Sequence, residues 1–261
     1  MKAYADTFLG RLIDFSGLVT FFLLWELLPR FGIINGQFIP PLSTVVSQIL
    51  LMAFDGTLFL HITASLQRTI IGLVAAVGLA VPLGFLLAGV LPALSKQLRP
   101  LFRLFAQINA FSLFPIFILF FGIGELSKVA IIFWSTVWPV LFTTIVGVQN
   151  LDPLYIKSAR SMGADKVTLF NQVILPGAAP VIFSGVRTGA SHAFLMLIAA
   201  ELIGAHAGLG WVIHNAEVNA LMPRLFAGMI IIAVLGTLLN YLLLLAEETV
   251  VSWKEAVARP E

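Results

Sequence analysis

Six apolar runs, each long enough to cross a hydrocarbon layer, constrain this chain of 261 residues more than any other feature. A bilayer core about 30 Å thick takes roughly 20 residues of helix. The runs cover about 14–34, 66–90, 102–122, 128–149, 178–202 and 225–246. No water reaches the backbone inside a bilayer, so runs of this kind close their hydrogen bonds internally, as helices. The balance of residue types agrees: 59% are hydrophobic and 11% charged, against ~25% charged in soluble domains. The expected fold class is an all-α membrane protein with six transmembrane helices, forming a single membrane domain over 1–261. The segment MKAYADTFLGRLIDFSG is weakly basic. The apolar stretch after it holds Trp25 and Glu26 and no small-residue cleavage site, so it reads as a retained first helix rather than a cleaved signal peptide.

The basic residues set the expected orientation, because they concentrate on the cytoplasmic side. With the N-terminus inside, Lys2, Arg11, Lys96, Arg99, Arg103, Lys157, Arg160, Lys166, Lys254 and Arg259 fall in inside segments. Only Arg30, Arg68, Lys128 and Arg224 fall outside, and Arg187 lies in the fifth run. Both termini are therefore expected in the cytoplasm. Between the first two runs, Pro40 and Pro41 stop one helix and Ser43 can cap the next. Val45, Val46, Ile49, Leu50 and Ala53 recur at helical spacing there, which predicts a short helix over about 43–55 along the outer interface. The net charge of +2 gives nucleic acid little to bind, and the absence of cysteine excludes disulfides, thiolate chemistry and Cys-ligated metals.

One cytoplasmic stretch, 152–176, is different in character. Asp152 followed by Pro153 is a helix start, since Pro lacks an N–H that the first turn does not need. The spacing predicts a helix from Pro153 to Met162 closed by a left-handed Gly163. A second helix is expected from Lys166 to about Ile174, capped by Asp165 and closed by Pro176. Leu154, Ser158, Ala159 and Met162 share one face, and Val167, Phe170, Val173 and Ile174 another. A capped, basic, amphipathic element facing the cytoplasm is built to dock.

Polar groups inside spans are expensive and line bundle interiors or water paths. The fifth run carries Ser184, Arg187, Thr188, Ser191 and His192 within about 140° of arc at 100° per residue. A cation beside hydroxyls suits an anionic cargo. Glu201 ends that run, with Arg68 or Arg224 as a possible partner or solvent as the alternative. Gly208 and Gly210 allow a tight outer turn. In the third run Asn109 and Ser112 precede Phe114, and Pro115 is expected to bend the helix. These residues are the candidates for a translocation path. His206, His214 and Glu217 match no familiar zinc spacing, and no catalytic or metal site is expected.

The cytoplasmic stretch resembles a signature of the membrane permeases of ATP-binding-cassette importers. That signature is Glu-Ala-Ala, three residues, Gly, then a hydrophobic-Pro ending. Here it reads Lys157-Ser158-Ala159, three residues including Arg160 and Met162, Gly163, then Phe170, Val173 and Leu175-Pro176. Lys157 and Ser158 replace the Glu and first Ala, so the family's acidic contact does not carry over. SLQRTIIGLVAAVGLAVPLG, FPIFILFFGIGELSKVAIIF and FSGVRTGASHAFLMLIAAELIGAHAGLGWVI extend the likeness to taurine, sulfonate and nitrate importer permeases over nearly the whole chain. The resemblance implies the type I importer permease fold, in a bacterial inner membrane, with the stretch 152–176 as coupling segment. It implies as partners a second permease copy, two ATPase subunits and an extracytoplasmic solute-binding protein. ATP and magnesium would belong to the ATPases, and this chain, which has no G-x-x-x-x-G-K-[ST] loop, would carry no cofactor. Permeases for bicarbonate, a thiamine precursor or an aromatic acid fit the same pattern. A membrane-embedded enzyme would need clustered acids or histidines that the spans lack, and a passive structural subunit is a third alternative.

Overall fold

The structure, a computed structural model, describes the backbone of residues 2–251 and the side chains of 16–251. Lys254 and Arg259 lie outside those residues, as do the side chains of Lys2 and Arg11. The first helix, α1 (Lys2–Arg30), is followed by a turn through Pro40 and Pro41 into α2 (Leu42–Phe54). Ser43 was expected to cap α2; instead it lies inside the first turn, and Glu26 of α1 caps it from across the turn. The Ser43 N–H donates to Glu26 Oε2 at 2.9 Å, while Trp25 Nε1 donates to Pro40 O at 3.1 Å. An orphan N–H of a helix start accepts any well-placed oxygen, and Glu26 gets there because the Pro-Pro turn folds α2 back onto α1.

The next helix, α3 (Thr57–Phe85), begins nine residues earlier than the apolar run and continues through a π-helical turn, Leu86–Val90. Its first twelve residues include polar ones, His61, Ser65 and Arg68, that are buried rather than solvated. Arg68, Lys128 and Arg224, counted above with the outer segments, all lie within long helices. Then come α4 (Pro92–Gln107), α5 (Ala110–Phe121) and α6 (Glu125–Gln149). Close packing of α3 on α6 depends on small residues: a Cβ on Gly72 would strike Ile132, and one on Gly84 would strike Thr144. Ala76, Ala80, Val140 and Leu141 fill that seam.

Pro115 does not bend the third run. The chain breaks at Ile108–Asn109, where α4 and α5 meet at 91°. Both residues are extended, and the Asn109 side chain accepts from Phe111 N at 3.0 Å, restarting the helix as an N-cap. Asn competes for backbone donors in this way, and Pro115 then sits inside α5.

The stretch 152–176 contains α7 (Pro153–Ser161), α8 (Lys166–Leu169) and a π-helical turn, Phe170–Ile174, that runs straight into α9 (Leu175–Leu202). Pro176 therefore closes nothing. A proline ring clashes with the carbonyl four residues back in an α-helix, and the π turn displaces that carbonyl's register. Helices α10 (Leu209–Val218) and α11 (Met222–Val250) complete the chain. Val45 and Met52 of α2 pack with Leu209, Val212, Ile231 and Ile232, joining α2, α10 and α11.

By length and composition, Thr57–Val90, Glu125–Gln149, Lys166–Leu202 and Met222–Val250 can cross a membrane, and the bent α4–α5 pair makes a fifth if it is one span. Replacing Asn109 with Ala is expected to cost about 1 kcal/mol through loss of the cap, seen as a lower unfolding midpoint in detergent. Pro115→Ala should leave the bend in place, as measured by the distance between spin labels on α4 and α5.

Candidate functional site

The small-residue side of α9 is pressed onto α6, where Gly185 meets Thr143 and Gly189 meets Thr136 and Val140. That contact leaves the opposite side open. Ser184, Thr188, Ser191 and His192 are all exposed on it. The hydroxyls of Thr188 and Ser191 donate back to Ser184 O and Arg187 O at 3.0 and 3.2 Å. Arg187 leaves this row: its Nη2 lies 3.3 Å from Glu247 Oε2 on α11. Beside the row, a cleft of about 410 Å³ opens between the α4–α5 break, α6 and His192. Trp134, Ser135 and Trp138 form its α6 wall. Of the third-run candidates, Ser112 is exposed and Asn109 serves as the α5 cap, whereas Phe114 is fully buried against Ile131, Ile132 and Leu197. The structure thus gathers four α9 residues on one open face and places Phe114 in the core.

At the far end of α9, Glu201 is a buried charge and not a solvated one; its side chain has no exposed surface. It pairs with Arg68, whose Nη1 lies 2.6 Å from Glu201 Oε1. Ser65 Oγ lies 2.8 and 2.9 Å from the two carboxylate oxygens, and Gly210 N donates to Oε2 at 2.8 Å. The turn before α10 is held in the same centre: Arg68 Nη1 donates to Ala207 O at 2.6 Å, Leu209 N to Ser65 Oγ at 2.9 Å and Gly208 N to His61 Nδ1 at 3.2 Å. Gly208 has φ +126, and a Cβ there would fall on the Glu201 carboxylate. The other edge of the Arg68 guanidinium holds Glu125, which Lys128 approaches at 3.4 Å. Four parts of the chain, α3, α6, α9 and the 203–208 turn, are joined by one guanidinium. Trp211 stacks on His61 with ring centres 5.2 Å apart.

The stretch 152–176 is capped at each joint. Asp152 Oδ1 accepts from Leu154 N at 2.8 Å, and Asp165 Oδ1 from Thr168 N at 3.0 Å. The hydrogen bonds from Thr168 hold the Asp165 carboxyl below its ordinary range. Gly163 has φ +86, and Ala164 N closes back to Ala159 O at 3.0 Å, a left-handed helix end. No residue of α7 is buried. Lys157, Ser158 and Arg160 point outward and Ala159 is half-buried. Leu154, Met162 and Val167 leave an apolar row in the open, with Met162 85% exposed. Phe170 is also exposed, and one edge of its ring meets Phe85 at 5.1 Å. Leu175 is exposed and Pro176 partly covered at the start of α9.

Residues 80–251 match the family model described as binding-protein-dependent transport system inner membrane component. The chain belongs to that family. It is 32% identical over 246 residues to the taurine transport system permease protein TauC of Escherichia coli (strain K12), covering 92% of this chain and 89% of the relative. A putative aliphatic sulfonates transport permease protein, SsuC of Bacillus subtilis (strain 168), is 30% identical, covering 89% and 84%. The nitrate import permease protein NrtB of Leptolyngbya laminosa is 30% identical, covering 72% and 67%. Among solved structures, a chain of the MetNI methionine ABC transporter in inward-facing conformations superposes with a TM-score of 0.62 at 18% identity, over 75% of this chain and 95% of that one. This likeness establishes a shared fold. The protein is thus an inner-membrane permease component of a transport system.

Glu125, Ser65, His61, Trp134 and Trp138 escaped the sequence reading. Trp134 and Trp138 were detectable as a pair four apart on α6, which places both on one face; Glu125 gave no signal, because its partner Arg68 is remote in sequence. Removing one partner of a buried ion pair typically costs about 3–5 kcal/mol, whereas exposed pairs contribute roughly 0–1 kcal/mol. Glu201→Ala should therefore lower the detergent unfolding midpoint far more than Glu125→Gln, whose carboxylate is 65% exposed. Equal shifts for the two variants would contradict this ordering.

Proposed function

We propose that this inner-membrane component is the path-forming permease of an ATP-driven importer for a small anion such as nitrate, a sulfonate or taurine. In this reading the chain crosses the membrane six times with both termini in the cytoplasm, and pairs with a second copy. Two ATPase subunits hold ATP and magnesium, and an extracytoplasmic solute-binding protein delivers the cargo. The cargo names come from relatives that are about 30% identical over most of their length. The exposed α9 row, a set of hydroxyls with a histidine, suits a hydrated anion.

One observation carries the reading. The capped segment with its bare apolar row is continuous with α9: Lys166–Leu202 is one helical rod of 37 residues, ~55 Å at 1.5 Å per residue. Leu154, Met162 and Val167 supply an apolar surface on an element too small to cover it, and a docked ATPase would bury it. Any motion of that ATPase would pass along the rod to Ser184, Thr188, Ser191 and His192. Lys157, Ser158, Ala159, Arg160, Met162, Gly163, Phe170, Leu175 and Pro176 belong to this coupling element, and Phe170 also ties it to Phe85 at the end of α3.

The test is reconstitution in lipid. The chain alone should not hydrolyse ATP, and the complex with its ATPase should. Met162→Asp puts a charge in the bare row without touching the fold, and is expected to abolish co-purification of the ATPase while membrane insertion is unchanged. Gly163→Pro should abolish coupled transport, because proline cannot adopt the positive φ found there. Full transport by both variants would refute the coupling role.

A further inference from the structure

Of the four histidines, His61 alone is buried, while His192, His206 and His214 are exposed. It sits near the start of α3, at the end of the bundle opposite the 152–176 element. Its Nδ1 accepts a hydrogen bond from Gly208 N at 3.2 Å. A neutral imidazole has one donor and one acceptor, so the proton of this ring is on Nε2. One helical turn on, Ser65 Oγ accepts from Leu209 N at 2.9 Å. The two side chains hold consecutive backbone N–H groups, and with them the turn that joins α9 to α10. Gly208 has φ +126, and a Cβ on it would strike the Glu201 carboxylate. Its backbone is thus held in a conformation that glycine alone adopts readily, by partners outside the turn.

A proton added to Nδ1 takes away the lone pair that holds Gly208. The imidazolium has donors at both nitrogens, and the Gly208 N–H then faces a donor. The closed turn therefore excludes a proton that the open turn can take up. By linkage, its stability is fully present at high pH and is lost as pH falls through the titration of His61. An imidazole changes charge between about pH 5 and 8. Two charged groups act on the ring with opposite signs, Asp55 at the end of α2 and Arg224 at the start of α11. On its own helix, Arg68 lies two turns on and is engaged by Glu201 of α9 and Glu125 of α6. The turn contributes the exposed His206, and α10 the pair His214 and Glu217, 3.8 Å apart. Trp211 covers one face of the ring at 5.2 Å. An indole stabilises a cation lying over it, so the imidazolium has a place to stay once the turn has let go.

We propose that His61 is a pH-sensitive latch on the 203–208 turn. Neutral, it holds the Gly208 N–H and keeps the end of α9 locked to α10; protonated, it releases the turn. The inference rests on the importer reading, which puts this end of the bundle outside the cytoplasm, where pH follows the surroundings. Acid on that side loosens the far end of the rod that begins at Lys166, and transport slows with no change at the ATPase.

The permease–ATPase complex is reconstituted in proteoliposomes, with the ATPase outside and the loaded solute-binding protein in the lumen. Lumenal pH is varied from roughly 8 to 5.5, across the imidazole range, while the outside is held constant. Stimulated ATP hydrolysis by the unaltered complex is expected to fall about three-fold or more. His61→Asn keeps an acceptor oxygen where Nδ1 stood and does not titrate, so its hydrolysis should stay nearly flat. Trp211→Leu keeps the imidazole and removes its stacking partner, and should move the midpoint about half a unit toward acid. Hydrogen exchange of a peptide covering 203–209 is measured on the same complex in nanodiscs without solute-binding protein. In acid it should be faster in the unaltered chain than in His61→Asn at the same pH. A fall in hydrolysis as steep in His61→Asn as in the unaltered complex, or equal exchange in the two at every pH, overturns the latch. Should His61→Asn not assemble, an unmoved midpoint in Trp211→Leu overturns it instead. A turn that opens in acid while hydrolysis holds steady overturns its regulatory role. Absence of stimulated hydrolysis at every pH removes the importer reading and leaves the exchange comparison to decide the latch.

Discussion

The guanidinium of Arg68 is the knot on which the rest of the bundle depends. It meets Glu201, Glu125 and the carbonyl of Ala207 at once. A charge taken out of water this far is destabilising unless its partners surround it, and here they come from helices distant in sequence. The arrangement fixes where α9 ends, where the 203–208 turn passes and where α6 begins. The glycines at 208 and 210 follow from it, since the Glu201 side chain occupies the space a larger residue would need. Burying a charge therefore dictates backbone conformation several residues away.

The remaining architecture is a matter of small residues and caps. Gly72, Gly84, Gly185 and Gly189 let three long helices approach until side chains of one fill the surface of the next. This is the packing expected where lipid competes with protein for apolar surface and hydrophobic burial gives little net drive. The 152–176 element is held instead by local hydrogen bonds at Asp152, Gly163 and Asp165. Core and 152–176 element thus draw on different physics, which lets the latter leave its apolar row bare without endangering the bundle.

What the sequence made legible follows the same division. The caps at Asp152, Gly163 and Asp165 depend on residues a few positions apart, and all three were readable. So were the long helices, and the possibility that Glu201 pairs with Arg68. Most other interactions that depend on a remote partner were not. Ser43 looked like a cap, yet the oxygen that satisfies its turn belongs to Glu26. Arg187 looked like part of an open polar row, yet Glu247, sixty residues on, draws it to α11. Pro115 looked like the bend because proline usually is one, but Asn109 restarts the helix first. Pro176 looked like a stop, and the π turn ahead of it removed the clash that would have made it one.

That π turn has a counterpart. Leu86–Val90 ends α3 in the same way, and Phe85, the residue just before it, meets Phe170, the first residue of the other segment. A π turn packs an extra residue into one winding, holds weaker hydrogen bonds than an α turn and is common at working parts of proteins. Two long helices therefore carry slack at the same level, pinned together by a pair of aromatic rings. Below that level the chain is a small rigid body; above it, a tightly seated bundle. The joint between them is where a twist applied from one side can be absorbed or passed on.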